Sequence, residues 1–340
     1  MHAERSTART GSRAAAAHRA GAFVIVLHLA AAALGCFPLV GASAQGGYEG
    51  QWTIEGRRDK PALYLTLTYG DEGRGYGKNT MGFNLAPEHL QGLSQAQMMS
   101  AGSQVRFQIV RDAGVLNCEG WFKDGRGSGH FTFAANPSFA SELRGRGYDE
   151  PTERQMFQMA MSGMTLAFLD ELKAQGYAQA TLGQIVRMGT HGVTIEYVRE
   201  LKALGYTLQS VDQLTRMVDH GVSIEFIREL NAAGYKDTPA EMLVRTRDHG
   251  VTPEFIKEVE AEGYGRLPLE KLVRMRDHGV TPDYIKEVKA HGYTDVTVEQ
   301  LVRMRDHGVT SEFINKVKSR GFTNLSVEEL VKLRDRGFDK

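Results

Sequence analysis

A glycine followed by an aromatic residue returns every 29 residues through the C-terminal half of this chain: Gly147-Tyr148, Gly176-Tyr177, Gly205-Tyr206, Gly234-Tyr235, Gly263-Tyr264, Gly292-Tyr293 and Gly321-Phe322. A second series keeps the same step at Gly163-Met164, Gly192-Val193, Gly221-Val222, Gly250-Val251, Gly279-Val280, Gly308-Val309 and Gly337-Phe338. No insertion or deletion interrupts either series. A period this strict means that one small module is copied in tandem, so each copy packs on its neighbours rather than around a shared central core. Six whole units and a terminal half unit account for residues 148–340.

Each module reads as two short helices. In VTVEQLVRMRDHGVTSEFINKVKSRGF, Thr297 and Thr310 are placed to cap helix starts, and Glu299 adds negative charge to a first turn. Gly308 and Gly321 stop the helices in the left-handed conformation, each with the apolar pair such a stop expects: Met304 with Val309, and Val317 with Phe322. The same role is expected of Gly192, Gly221, Gly250 and Gly279 after the first helix of their units, and of Gly176, Gly205, Gly234, Gly263 and Gly292 after the second. Pro253 and Pro282 sit at first helical positions, where a missing N–H costs nothing. Helices of about ten residues do not hold alone. The apolar stripes of Val298, Leu301, Val302 and Met304, and of Phe313, Ile314 and Val317, therefore require neighbours, and the expected product is an α-solenoid.

Between Tyr48 and Phe133 the period changes to two, with turn signals about every ten residues. The candidate strands are QWTIEG, ALYLTLTYG, NTMGFNL, QVRFQIVRD, LNCEGWFKD and GSGHFTFAA, joined in part by Asp112-Ala113-Gly114 and Asp124-Gly125-Arg126-Gly127, which are expected to supply the positive φ of tight hairpins. About six strands in a meander follow, with a helical turn or two in APEHLQGLSQAQMMSAGS. The fold class is thus β then α: a small antiparallel β-sandwich or open barrel over residues 45–147, followed by the solenoid of two-helix repeats over 148–340.

The first 44 residues carry Arg5, Arg9, Arg13 and Arg19 ahead of an uncharged run ending in Ala42-Ser43-Ala44, the order of a secretory signal peptide cut before Gln45. Two alternatives stay open: an uncleaved membrane anchor, and a lipoprotein signal at Ala33-Leu34-Gly35-Cys36 with Cys36 acylated. All three place the remainder outside the cytoplasm, periplasmic, extracellular or held at a membrane surface. Cys118 is the only other cysteine, so no disulfide framework is expected.

Lys plus Arg and Asp plus Glu both number 41, and within residues 148–340 acidic side chains slightly outnumber basic ones. A duplex-binding surface needs a concentrated basic face, so nucleic acid is not an expected partner. His191, His220, His249, His278 and His307 recur in register. One zinc shared by two of them would need ring nitrogens within roughly 4 Å, whereas packed helices lie about 8–10 Å apart. A histidine at a helix C-terminus instead complements the negative end of the dipole. No metal, cofactor or catalytic residue is expected: HExxH, GxSxG and the phosphate-binding loop are absent, and GDEGRGYG at 70–77 leads from strand to strand. What the later units do offer is a ridge of Arg276, Asp277, His278, Arg305, Asp306 and His307, suited to a protein partner. The rival reading is an envelope hydrolase around His130, Asp124 and Cys118 on the β-domain.

Units of the type LVRMRDHGVTPDYIKEVKAHGY resemble tandem helical repeats of uncharacterised secreted bacterial proteins, repeats that are also appended to some membrane zinc metallopeptidases that sense β-lactams. The β-domain, with GQWTIEG near its start and FTFAANPSF near its end, resembles the domain such repeats accompany. The resemblance implies an envelope-associated bacterial protein working beside a sensor or protease. It implies no peptidase activity, because the zinc-binding helix and the membrane spans of those enzymes are missing. The expected function is that of an exported, non-catalytic binding or scaffold protein.

Overall fold

The computed structural model describes residues 48–56, 63–70, 78–86 and 89–338. The expected signal peptide, its anchor and Cys36 alternatives, and the glycine-rich stretch at 71–77 lie outside the described residues.

Seven strands form one open antiparallel sheet, not a closed barrel: β1 (Glu49–Gly56), β2 (Leu63–Gly70), β3 (Lys78–Leu85), β4 (Leu90–Gln91), β5 (Ser103–Arg111), β6 (Gly114–Lys123) and β7 (Arg126–Ala135). The additional strand is β4, two residues paired with Ile109 and Gln108. The order β3-β2-β1-β7-β6-β5-β4 departs from a simple meander. The last strand returns to pair with the first, Trp52 opposite Gly129 and Thr53 opposite Ser128. That pairing joins two short meanders into one sheet, and it is a long-range contact that no local turn signal encodes.

The hairpin signals work in two different ways. At the β6–β7 turn, Asp124 and Gly125 have φ of 51° and 82°, the left-handed pair that a two-residue hairpin needs. At the β5–β6 turn, none of Asp112, Ala113 and Gly114 takes a positive φ, so the expectation for that turn is corrected. Gly114 is required there for space: a methyl group on it would stand 2.5 Å from the Phe133 ring.

One face of the sheet is buried. Trp52, Ile54, Leu65, Leu67, Val105, Phe107, Ile109, Leu116, Cys118, Phe122, Phe131 and Phe133 point into it, alternating with exposed polar residues. The Trp52 indole lies flat across β7 and β6, its Nε1 donating to the carbonyls of His130 at 3.0 Å and Glu119 at 3.2 Å. Gly120 makes this possible, since a methyl group on it would fall 2.7 Å from the ring. A one-turn helix α1 (Gln95–Met98), capped by Ser94 and Gln97, lies between β4 and β5, and the elements after β7 are all helical.

The helices fall into two rows. The first comprises α3 (Glu153–Met161), α5 (Leu182–Thr190), α7 (Val211–Asp219), α9 (Ala240–Asp248), α11 (Leu269–Asp277), α13 (Val298–Asp306) and α15 (Val327–Asp335). The second comprises α2 (Pro137–Gly145), α4 (Leu166–Leu172), α6 (Ile195–Ala203), α8 (Ile224–Ala232), α10 (Pro253–Val259), α12 (Pro282–Ala290) and α14 (Ser311–Ser319). In the first row each helix packs against the next, α3 on α5 through α13 on α15, and in the second row α2 packs on α4 and so on through α10 on α12. The helix α2 begins 29 residues before α4, so the second row starts inside the segment that leads out of the sheet.

The caps explain the boundaries. Thr181, Thr297 and Ser326 accept from the backbone N–H three residues on, and a Gln or Glu side chain returns the bond. Pro239 and Pro268 stand where other units have Ser or Thr and offer no side-chain bond. The eleven glycines expected to stop helices all have φ between 66° and 111°. Gly279 shows the mechanism: its N–H donates to Arg276 O at 3.1 Å, and the Val280 N–H reaches Met275 O at 2.8 Å.

Sheet and helices share one continuous apolar core. Phe157 on α3 joins the two, stacked on Tyr48 at 4.7 Å and edge-on to Tyr69 and Phe133 at 5.0 and 5.3 Å. Along the rows, residues such as Leu272, Val273, Ile285 and Leu301 are 1% exposed or less, each contributing about 2–3 kcal/mol of transfer free energy. Among the described residues no helix is long and apolar enough to cross a membrane.

Candidate functional site

Three polar seams recur between helical units, most completely between the later ones, and they absorb most of the charged residues that the sequence marks out. In the first seam, a histidine at the end of one helix bonds the aspartate that ends the equivalent helix of the next unit. His191 Nδ1 lies 2.6 Å from Asp219, His220 2.7 Å from Asp248, His278 2.6 Å from Asp306 and His307 2.7 Å from Asp335, with His249 bonded to Asp277 in the same way. The histidine side chains remain about one third exposed, 33–38%.

In the second seam an arginine reaches back onto the preceding unit. Arg247, Arg276, Arg305 and Arg334 place their guanidinium carbons 5.2, 5.0, 4.9 and 5.2 Å from the ring centres of Phe226, Phe255, Tyr284 and Phe313. The Nε atoms of Arg247 and Arg305 also donate to the carbonyls of Gly221 and Gly279, both at 3.0 Å. The left-handed glycine turns its carbonyl outward, and the guanidinium occupies the notch between that carbonyl and the ring.

The third seam is made by tyrosines. Tyr235, Tyr264 and Tyr293 donate to the carbonyls of Leu267, Val296 and Leu325 at 2.6, 2.7 and 2.9 Å, each 32 residues ahead. Tyr197 and Tyr284 reach Val222 and Val309 at 2.8 Å. Burial is the main cause that pushes the phenols of Tyr264 and Tyr284 up to about 12.

The six residues of the sequence ridge therefore face neighbouring units as well as solvent. Asp277 and Asp306 hold His249 and His278, His278 and His307 are held by Asp306 and Asp335, and Arg276 and Arg305 cover Phe255 and Tyr284.

The first joint is built differently. Gly189 stands at the register position of Arg247, Arg276, Arg305 and Arg334, and Ser162 at that of the histidines. No arginine covers Gly163 and Phe168, and a groove opens there between α4 and α6, lined also by Thr165, Thr194 and Glu196. Phe168 is half-buried, whereas Phe226, Phe255, Tyr284 and Phe313 are 3–5% exposed beneath their arginines. The second joint has Val218 at the arginine position, and its ring, Tyr197, is likewise half-buried. At the first joint Arg199 on α6 pairs with Glu171, and Arg146 ties α2 to α4 through Asp170 at 2.9 Å. Those guanidiniums keep both carboxyls below the usual carboxylate range. The signal for this groove was present in the sequence as a glycine at a position that is arginine in the later units, but its meaning required knowing where the arginines point.

On the β-domain, the three residues of the hydrolase reading do not converge. Cys118 is on the buried face of β6 at 1% exposure, and burial pushes its thiol up to about 12, away from the nucleophilic thiolate. His130 is on the opposite, exposed face of β7, beside Gln51 and Glu119, and Asp124 is in the exposed β6–β7 turn. Among the described residues, no group of three or more His, Cys, Asp or Glu side chains is placed to hold a metal ion. No protein-family model matches the sequence, and neither a curated protein nor a solved structure is significantly similar to it.

Proposed function

We propose that this chain is an exported, non-catalytic binding protein of the bacterial envelope, in which a β-domain anchors an α-solenoid that presents an extended surface to a protein partner. One observation carries the reading. The same three seams recur between the later helical units, fixing one against the next through buried apolar stripes and through polar bonds on the outside. Such nearest-neighbour construction produces a long, pre-organised surface without a central cavity, which suits recognition of an extended protein surface. The signal-like order of residues 1–44 supports export, and the likeness of the repeats to those appended to sensor metallopeptidases supports an envelope partner of regulatory type.

The test is crosslinking in intact cells of the native host, followed by capture of the full chain and comparison with a strain expressing residues 1–147 alone. A specific envelope protein retained by the full chain and lost without the helical rows is the expected result. Turnover of an envelope substrate by the purified chain, lost on His130→Ala, would replace this reading with the hydrolase.

A further inference from the structure

The first helical joint differs from the later ones in a way that defines a ligand. At four joints an arginine of the chain itself fills a notch made by a left-handed glycine and an aromatic ring. At the first joint the glycine (Gly163, φ 67°) and the ring (Phe168) are in place, but Gly189 supplies no side chain. The groove left behind has a volume of about 380 Å³. Its charge is compatible with a cation: Glu171 and Glu196 outnumber Arg199, which is paired to both. Its floor is soft, because the flexible Met164 replaces the valine of later units and its Cε approaches to 2.3 Å from where a Gly189 methyl group would stand.

We propose that the groove between α4 and α6 binds an arginine side chain presented by the protein partner, the guanidinium stacking on Phe168 and facing the Gly163 carbonyl as Arg305 does on Tyr284 and Gly279. This deepens the scaffold reading and rests on it for the existence of a partner. The chemistry of the occupant is taken from the four filled notches. Arginine fits better than lysine, because a planar guanidinium both stacks on a ring and donates a directed N–H, whereas an ammonium does only one of these well. The second joint offers less, since Val218 places a branched side chain where Gly189 places none.

The experiment uses the full chain with 13C-labelled methionine methyls and a capped glycine–arginine–glycine tripeptide as probe, with the citrulline tripeptide as its neutral near-isostere. The Met164 methyl signal is expected to shift saturably with the arginine probe and to report binding roughly tenfold tighter than with citrulline, the contribution of one charge-assisted contact and one cation–π contact. Gly189→Arg, which supplies the missing guanidinium internally, should abolish the response and raise the melting midpoint. Should that variant not fold, Phe168→Leu should weaken the arginine probe by roughly threefold. Equal responses to the two probes, no response to either, or a Gly189→Arg protein that still responds each overturn the proposal. A partner captured in the crosslinking experiment with no response here leaves the scaffold reading standing and removes only this site.

Discussion

The phenol of Tyr264 donates to the carbonyl oxygen of Val296 at 2.7 Å, closing a bond between one unit and the loop that opens the next. Its counterpart one unit earlier but one, Tyr206, is buried at its hydroxyl and has no hydrogen-bond partner. Tyr264→Phe should therefore destabilise the protein by about 1 kcal/mol, and Tyr206→Phe should be neutral or slightly stabilising. Urea melts of the two variants, followed by circular dichroism, compare a bond made with a bond never made on the same scaffold.

The same tyrosines set an alkaline limit. Burial holds the phenols of Tyr264 and Tyr284 protonated to about pH 12, whereas in the unfolded chain they titrate near 10. Above about pH 10 the unfolded state has released protons that the folded state retains, so stability falls as pH rises from about 10 to about 12. Below that window the contribution is fully present. Ultraviolet titration should show a class of phenols ionising together with unfolding, and Tyr264→Phe should make the pH dependence shallower.

The histidine seam is expected to be cumulative and individually weak. His278 and Asp306 are 37% and 43% exposed, so solvent screens their pair, and Asp306→Ala should cost about 0.5–1 kcal/mol. A double-mutant cycle with His278→Ala measures the pair itself. Replacing all five aspartates should cost close to five times the single loss, because successive pairs share no partner. A total far above that sum would show that the seam acts as one network.

Gly279→Val forces a β-branched residue into φ 66°, at a position where Arg305 packs against the α-carbon face. A loss of about 2–3 kcal/mol is expected from the strained cap and the displaced arginine together. A thermal melt unchanged from wild type would contradict the mechanical role given to the helix stops.

In the sheet, Gly129→Ala should be among the most damaging single changes, since the added methyl group would stand 1.9 Å from the Glu119 carbonyl oxygen under the Trp52 indole. Strands β6 and β7 would have to separate, at about 2 kcal/mol or more. Trp52 fluorescence reports this locally, and the helical rows should retain their far-ultraviolet signal at temperatures where the fluorescence has changed.

The sequence by itself determined the elements. The period of 29 residues, the Ser and Thr caps and the left-handed glycines specify where each helix starts and stops, because these depend on backbone geometry within a few residues. The period-two stretches likewise named six of the seven strands, missing only the two residues of β4, whose pairing has almost no side-chain pattern. Tertiary structure alone decided the partners. That β7 closes on β1, that His278 meets Asp306 and not its own Asp277, and that Arg305 reaches back to Gly279 all follow from how far apart neighbouring units lie and which way long side chains point. Sequence spacing does not contain that information. The arginine column does not extend back to Gly189, yet its absence there became a groove only when the filled notches beside Tyr284 and Phe313 showed what was missing.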